Sequence, residues 1–409
     1  MDGDPSIAPL LIPAVRHEDH TWVAEQDGMS SRAQVAAGSG PYRSTVPPRI
    51  AAYTPSLPSD LAADVEEASA ALARFDSYTR ARLGTHSPAL GPMSAILLRT
   101  ESASSSQIEN LTVGARQLAL AAIDQSSSDN ASTVAANVRA MEAALELADT
   151  LDEAAVLRMH EELISGQRGW EAQAGRYRDG LVWIGTSAIS PRGASHVAPQ
   201  AALVPPLMDD LMRFVQRDDI AVLVQAAVAH AQLETIHPFS DGNGRTGRAL
   251  VHAILRAKRL MAHTTAPVSA GLLVDTQSYF ESLTAYRAGD ARPVVEQFAR
   301  AARYAATTGV RLVDGLAGEL DEAREALVGL RPQAVAWRVL PHLVAQPVIN
   351  ARYLAERLGM TDTSAQRALQ QLQAAGVLEE RTGQRRNRVW QHSGILRLLD
   401  AYAQEVRRG

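Results

Sequence analysis

Along most of the chain, apolar positions recur at intervals of three and four, the period of an amphipathic helix, and rarely alternate. The spacing predicts helices over Leu61–Leu83, Met93–Arg99, Thr133–Leu147, Glu153–Ile164, Leu207–Val215, Ser278–Arg287 and Arg292–Tyr304. The stretch Ile220–Glu234 has a different pattern: it is rich in alanine, free of proline and nearly uncharged, and so predicts a helix buried all round. Shortly after it, Asn243–Arg259 sets Leu250, Val251, Ile254 and Leu255 at helical spacing with basic residues between them. The rhythm breaks at Gly175–Gly185, where a β-prone apolar run bounded by glycines predicts a hairpin. Residues 1–50 and the prolines that follow predict a flexible, extended arm around a helical body.

Past Val310–Leu330, a charged amphipathic connector, the chain changes character. Three short helices are predicted over Pro332–Leu340, Ile349–Leu358 and Thr363–Ala375, with Gly359 as a C-cap and Asp362 as an N-cap. Arginines around a glycine turn and the pair Val389-Trp390 follow, so this end has the pattern of a winged helix-turn-helix domain. The expected fold class is all-α with one small hairpin, ending in that domain. The expected division is 1–50 arm, 51–165 N-terminal helical region, 166–309 core, 310–344 connector and 345–409 winged domain.

Composition narrows the functional classes. At 409 residues and a formal net charge of −5, the chain does not have the overall charge of a general nucleic-acid binder. Cysteine is absent, which excludes disulfides and thiolate chemistry. No run of eighteen apolar residues occurs and the first residues lack a signal-peptide pattern, so the expectation is a soluble, cytoplasmic protein without membrane contact.

The chemistry concentrates in Ile236 to Arg248, a turn between the buried helix and its successor. Gly242 and Gly244 let backbone N–H groups approach an anion, and the start of the second helix adds positive potential. Arg245 and Arg248 lie three apart on its first turn and suit the outer phosphates of a polyphosphate. Asp241, an acid among anion-binding groups, is a Mg²⁺ ligand candidate. His237 is the residue suited to accepting a proton near neutral pH. The spacing Gly242-x-Gly244-x-x-Gly247 also fits a dinucleotide fingerprint, but that motif must follow a strand, and here it follows a helix. His230, Glu234 and His237 share a spacing that metal ligands use, and His160-Glu161-Glu162 lacks the second histidine of a zinc motif.

The segment His237-Pro238-Phe239-Ser240-Asp241-Gly242-Asn243-Gly244-Arg245-Thr246-Gly247-Arg248 resembles the signature of the Fic family, HPFx[D/E]GNGRxxR, at every fixed position. That resemblance implies a Fic-type helical core and transfer of AMP from ATP to a hydroxyl side chain of a target protein. It also implies roles: His237 as base, Asp241 on Mg²⁺, Asn243 and the turn amides on the α-phosphate, and Arg245 and Arg248 on the β- and γ-phosphates. Val182, Trp183, Ile184 and Gly185 would form the flap against which the target lies. Ser105-x-x-x-Glu109-Asn110 is similar to the family's inhibitory motif [S/T]xxxE[G/N], which implies that Glu109 pairs with Arg248 and restrains the enzyme.

In the C-terminal domain, Arg367, Arg385, Arg386 and Arg388 are candidate DNA contacts, with a structural or protein-binding module as the alternative. The function expected is a protein adenylyltransferase using ATP and Mg²⁺, with a target protein as partner and DNA and a second copy of the chain as candidate partners. A nucleotide-responsive DNA-binding regulator and an AMP-removing enzyme of the same family are the alternatives.

Overall fold

The computed structural model describes residues 8–26, 29–84, 87–167, 169–381 and 388–408. It is predominantly helical, with short β elements, as the periodicity predicts. The chain divides into two compact units. One gathers Met1–Glu67, Ala143–Lys258 and Gln277–Ala299; the other gathers Ala68–Glu142, Arg259–Thr276 and Arg300–Gly409.

The first unit is built on two consecutive helices, the approach helix Val222–Ile236 and the motif helix Asn243–Ala257. Every residue of the approach helix from Leu223 to Ile236 is buried. Its two buried glutamines bond to internal groups. Gln225 donates to the carbonyls of Phe214, Val215 and Arg217, which end the preceding helix Val204–Val215. Gln232 donates to Pro48 O and accepts from the Tyr286 hydroxyl. Gly247 sits where the two helices touch: a Cβ there would lie 2.9 Å from His230 Nδ1. Its lack of a side chain sets how closely the helices pack.

The amino-terminal segment is not simply an extended arm. Arg16–Trp22 and Gly40–Val46 pair as an antiparallel hairpin, joined through the short helix Arg32–Gly38, which Ser31 and Gln34 cap reciprocally. Proline and glycine content concealed it, because the strands are mostly polar and exposed.

In the second unit, the helix Leu90–Ile108 is much longer than the Met93–Arg99 expected, because its later turns bury serines rather than apolar residues. Glu101, fully buried, accepts from the Ser269 N–H at 2.8 Å and from its hydroxyl, and Asn137 donates to Ser102 O and Ser106 Oγ. The helices expected at Arg292–Tyr304 and Val310–Leu330 are one continuous helix, Arg292–Ala326. Gly309 falls inside it: a Cβ there would meet the Phe75 ring at 2.7 Å, so the glycine marks close packing and not a break.

The C-terminal region has the winged pattern. Helices Ala351–Leu358 and Asp362–Ala374 are joined through Gly359 at φ 59°, and Val348–Ile349, Trp390–Gln391 and Glu379–Glu380 form a three-stranded antiparallel sheet. Thr361, not Asp362, is the N-cap, accepting from Ser364 N–H. A final helix, Ser393–Arg408, buries Ile395, Leu396, Leu399, Tyr402 and Val406. No helix among the described residues is long and apolar enough to cross a membrane.

Candidate functional site

The approach helix ends on His237, whose backbone is left-handed at φ 50°, ψ 61°. A non-glycine residue there is strained by about 1–2 kcal/mol. The strain is held by partners on both sides: His237 N–H donates to Leu233 O at 2.7 Å, and its carbonyl accepts from Arg178 Nε at 2.8 Å. Pro238 then prevents the helix from continuing. The turn closes on Asn243, whose side chain accepts from Phe239 N–H and donates to Phe239 O, both at 2.9 Å. Asn243 therefore builds the turn.

Gly242 is the N-cap of the motif helix, at φ 79°, and no side chain caps the helix start. A Cβ on Gly242 would lie 2.8 Å from Leu163 Cδ2, so both the dihedral and the space require glycine. Phe239 is fully buried and stacks on His160 at 3.8 Å. His160 Nδ1 accepts from Gly175 N–H, so its Nε2 donates to Asp241 O at 3.2 Å. Burial pushes His160 down to about 4, and it acts as a neutral staple between helix Glu153–Ile164, the approach to the flap and the motif turn.

His237 Nδ1 faces two acceptors from the turn below it, Glu234 O at 3.4 Å and Glu234 Oε2 at 3.6 Å. Both favour hydrogen on Nδ1, which leaves the lone pair on Nε2. Burial alone raises the Glu234 carboxyl, but the neighbouring His237, His230 and Arg248 hold it down at about 2, so it is ionised. From spacing alone Glu234 is only a candidate metal ligand. Its position three residues before the histidine, on the last turn of a helix, was the available signal for a supporting role.

Asp241 is partly exposed, and its Oδ2 accepts from Arg245 Nη2 at 3.0 Å. Both arginines of the motif are buried, Arg245 at 3 % exposure and Arg248 at 2 %. The structure thus brings His237, Asp241, Gly242, Asn243, Gly244, Arg245 and Arg248 together around one turn. Among the described residues no group of three or more His, Cys, Asp or Glu side chains could hold a metal ion alone.

Beside the turn lies the flap. It is shorter as a sheet than the sequence suggests, with only Trp183–Ile184 paired to His196–Val197. Ile184 and Gly185 are exposed, whereas Val182 and Trp183 are half-buried. Arg178 fastens this segment to the turn: besides His237 O, its guanidinium donates to Gly180 O and Pro199 O at 2.7 Å and to Ile236 O at 3.4 Å. Its own N–H donates to Pro238 O. Burial without a carboxylate partner lowers Arg178 to about 10. The amino-terminal hairpin grips the flap from the other side. Trp22 donates to Ile189 O and meets Trp183 edge-on at 5.4 Å, and Arg192 donates to Ala37 O and Ser39 O.

His196 donates from Nε2 to Thr235 O and stands edge-on to His237 at 6.3 Å. Burial, then the charges of Arg287 and His237, push it well below the usual histidine range. It also lines a cleft of about 830 Å³, with Tyr42, Arg43, Arg192 and Arg287.

Ser105 and Glu109 belong to the second unit. Ser105 is buried in the Leu90–Ile108 helix, and Glu109 is its C-cap. Asn110 follows at φ 64°, and Leu111 N–H bonds to Ser106 O. A left-handed residue after the C-cap favours glycine or asparagine, which gives a physical reason for Asn110 after the glutamate. In the winged region Arg367 is exposed, but Arg388 pairs with Glu380 and lies 4.7 Å over the Trp390 ring. Arg385 and Arg386 lie outside the described residues.

The Fic/DOC family matches residues 150–255, the Fic/DOC family N-terminal region matches 62–146, and the MarR family matches 328–387. The chain is 32 % identical over 146 residues to protein adenylyltransferase fic-1 of Caenorhabditis elegans, covering 36 % of this chain and 26 % of that protein. It is 34 % identical over 131 residues to protein adenylyltransferase Fic of Nematostella vectensis, covering 31 % and 27 %. The matched stretch is thus about a quarter of each relative. A crystal structure of a Fic family protein from Desulfovibrio desulfuricans G20 superposes with a TM-score of 0.50 at 25 % identity, over 82 % of this chain and 97 % of that one. The chain carries a Fic-family domain and, C-terminal to it, a domain of the MarR/winged-helix kind.

Proposed function

We propose that this chain transfers AMP from ATP, with Mg²⁺, to a serine, threonine or tyrosine hydroxyl of a target protein. The observation that carries the proposal is His237, held in a left-handed cap with its Nδ1 against Glu234, at the turn that opens the motif helix.

The residues fit the substrate. The uncapped start of the motif helix offers N–H groups to phosphate oxygens, and Gly242 leaves the approach open. Arg245 and Arg248 supply positive charge beside it. One carboxylate, Asp241, already oriented by Arg245, suits Mg²⁺, which takes one or two carboxylates with the rest of its ligands from phosphates and water. Bound there, Mg²⁺ would neutralise phosphate charge. His237 Nε2 takes the proton of the incoming hydroxyl, whose oxygen bonds to the α-phosphorus as the bond to the pyrophosphate oxygen breaks. Glu234 stabilises the imidazolium so formed. A target segment lying along the exposed flap at Ile184 and Gly185 would bring its hydroxyl to His237 by main-chain pairing.

Glu109 restrains the reaction in this reading by competing with phosphate for Arg248. The motif Ser105 to Asn110 and its helix-cap geometry support that role. Incubation of the Glu109→Gly variant with radiolabelled ATP, Mg²⁺ and cell extract should label protein more strongly than wild type, and His237→Ala should abolish the label. Label that survives His237→Ala overturns the reading. A DNA-binding regulator is the second reading, favoured by the MarR-family match. It predicts a mobility shift that weakens with salt and is indifferent to His237→Ala.

A further inference from the structure

The helix carrying Ser105 and Glu109 is fastened to the C-terminal domain on both sides of the glutamate, and all the residues involved belong to the second unit. Upstream, Arg99 donates to Gln346 Oε1 at 2.9 Å. Gln346 is itself buried, and its Nε2 donates to Ala119 O and Val348 O at 2.7 and 2.6 Å. Downstream, Asp400 on the last helix accepts from Ala115 N–H at 2.9 Å, at the start of helix Ala115–Ala121. Arg116 donates to Gln391, and Arg352 donates to Ile123 O. Beneath these bonds, Ala119, Leu120 and Ile123 pack in one apolar cluster with Val348, Val389 and Leu396.

Between Arg99 and Ala115 lie the last turns of the Leu90–Ile108 helix, its cap and the left-handed Asn110. That short span has little freedom of its own, so where Glu109 stands depends on the two anchors that flank it. Gln346 makes the linkage sharp. A buried amide with both ends bonded has few alternative arrangements, and a shift of the C-terminal domain must either carry the helix with it or leave polar groups unpaired.

We propose that the C-terminal domain is the regulator of the transferase site: its packing on Arg99, Ala115 and Ala119 holds Glu109 in the restraining position, and a partner that displaces it releases the restraint. This rests on the proposed role of Glu109. The coupling is reciprocal, so whatever favours nucleotide in the motif turn also loosens this seam. The seam is far in sequence from the motif, and its residues take no part in the proposed chemistry.

The test is a set of four chains: wild type, Gln346→Ala, Glu109→Gly, and the two changes together. Self-labelling from radiolabelled ATP is measured for each. Gln346→Ala should raise labelling about five- to a hundredfold where Glu109 is present, the usual range of coupling between sites, and add nothing where Glu109 is already glycine. Hydrogen exchange should quicken over residues 90–114 in Gln346→Ala and stay unchanged over 243–257. Asp400→Ala, which removes the downstream anchor alone, should repeat the pattern and carries the test if Gln346→Ala does not fold. An equal increase in both backgrounds, or no increase in either despite activation by Glu109→Gly, overturns the proposal and leaves the restraint standing. If Glu109→Gly itself changes nothing, the restraint falls and this proposal with it.

Discussion

Glu234→Gln tests the support of His237 with little change of shape. The carboxylate oxygen lies 3.6 Å from Nδ1, and the two side chains are 9 % and 16 % exposed. At that separation, opposite unit charges attract by about 1 kcal/mol in water and about 4 to 5 kcal/mol at an effective dielectric of about 20. The site lies between these limits. The glutamine keeps a carbonyl dipole, so a loss of about 2 kcal/mol of transition-state stabilisation is expected, about thirtyfold in rate. In the proposed mechanism His237 gains its proton in the transfer step, so the loss should appear in kcat, with KM for ATP within about twofold. The assay is initial-rate transfer from radiolabelled ATP in the Glu109→Gly background, with thermal unfolding as the control for folding. A Glu234→Gln rate within about twofold of its parent would refute the reasoning, because the carboxylate would then contribute nothing to the charge His237 acquires.

Gly247→Ala should lower stability by about 1–3 kcal/mol, because its Cβ would lie 2.9 Å from His230 Nδ1 and force the ring away from the Tyr279 hydroxyl it meets at 2.7 Å; denaturant midpoints measure this. Burial lowers His160 and His230 to about 4, against an unfolded value near 6.5, so their neutral forms stabilise the fold fully above about pH 6.5. Stability should fall as pH drops from about 6.5 to 4, by up to about 1.4 kcal/mol per unit for each histidine; a flat denaturation midpoint between pH 7 and 5 would contradict this. Arg178→Lys keeps the charge but lacks the planar fork that reaches four carbonyls, so transfer to a target should drop at least about tenfold, and protease cutting in the flap should quicken.

Most of the site could be read from the sequence because its residues are consecutive and one turn brings them together. The approach and motif helices, and the start of the second helix inside the motif, follow from Ala-rich burial, Pro238 and Gly242. Features that depend on distant partners were harder to read. Arg178 falls within the expected hairpin run, and nothing local shows that its acceptors are the carbonyls of Ile236 and His237. The full length of the Leu90–Ile108 helix was hidden because serines occupy its buried face, satisfied by Asn137 and helix carbonyls. The final helix Ser393–Arg408 lies within the expected winged domain 345–409 and sets Ile395, Leu396, Leu399, Tyr402 and Val406 at helical spacing. The winged domain was recognisable from its caps, yet the sequence could not show that Glu380 occupies Arg388.

The Arg178 fork has a consequence for how such a protein diversifies. Gly180 and Pro199 both end on one guanidinium, which makes the stretch between them a closed loop with its base clipped to the bedrock of the motif turn. Lengthening a closed loop costs little, about 0.6 kcal/mol per doubling. The flap can therefore be redrawn, by insertion or wholesale replacement, while His237 keeps its station.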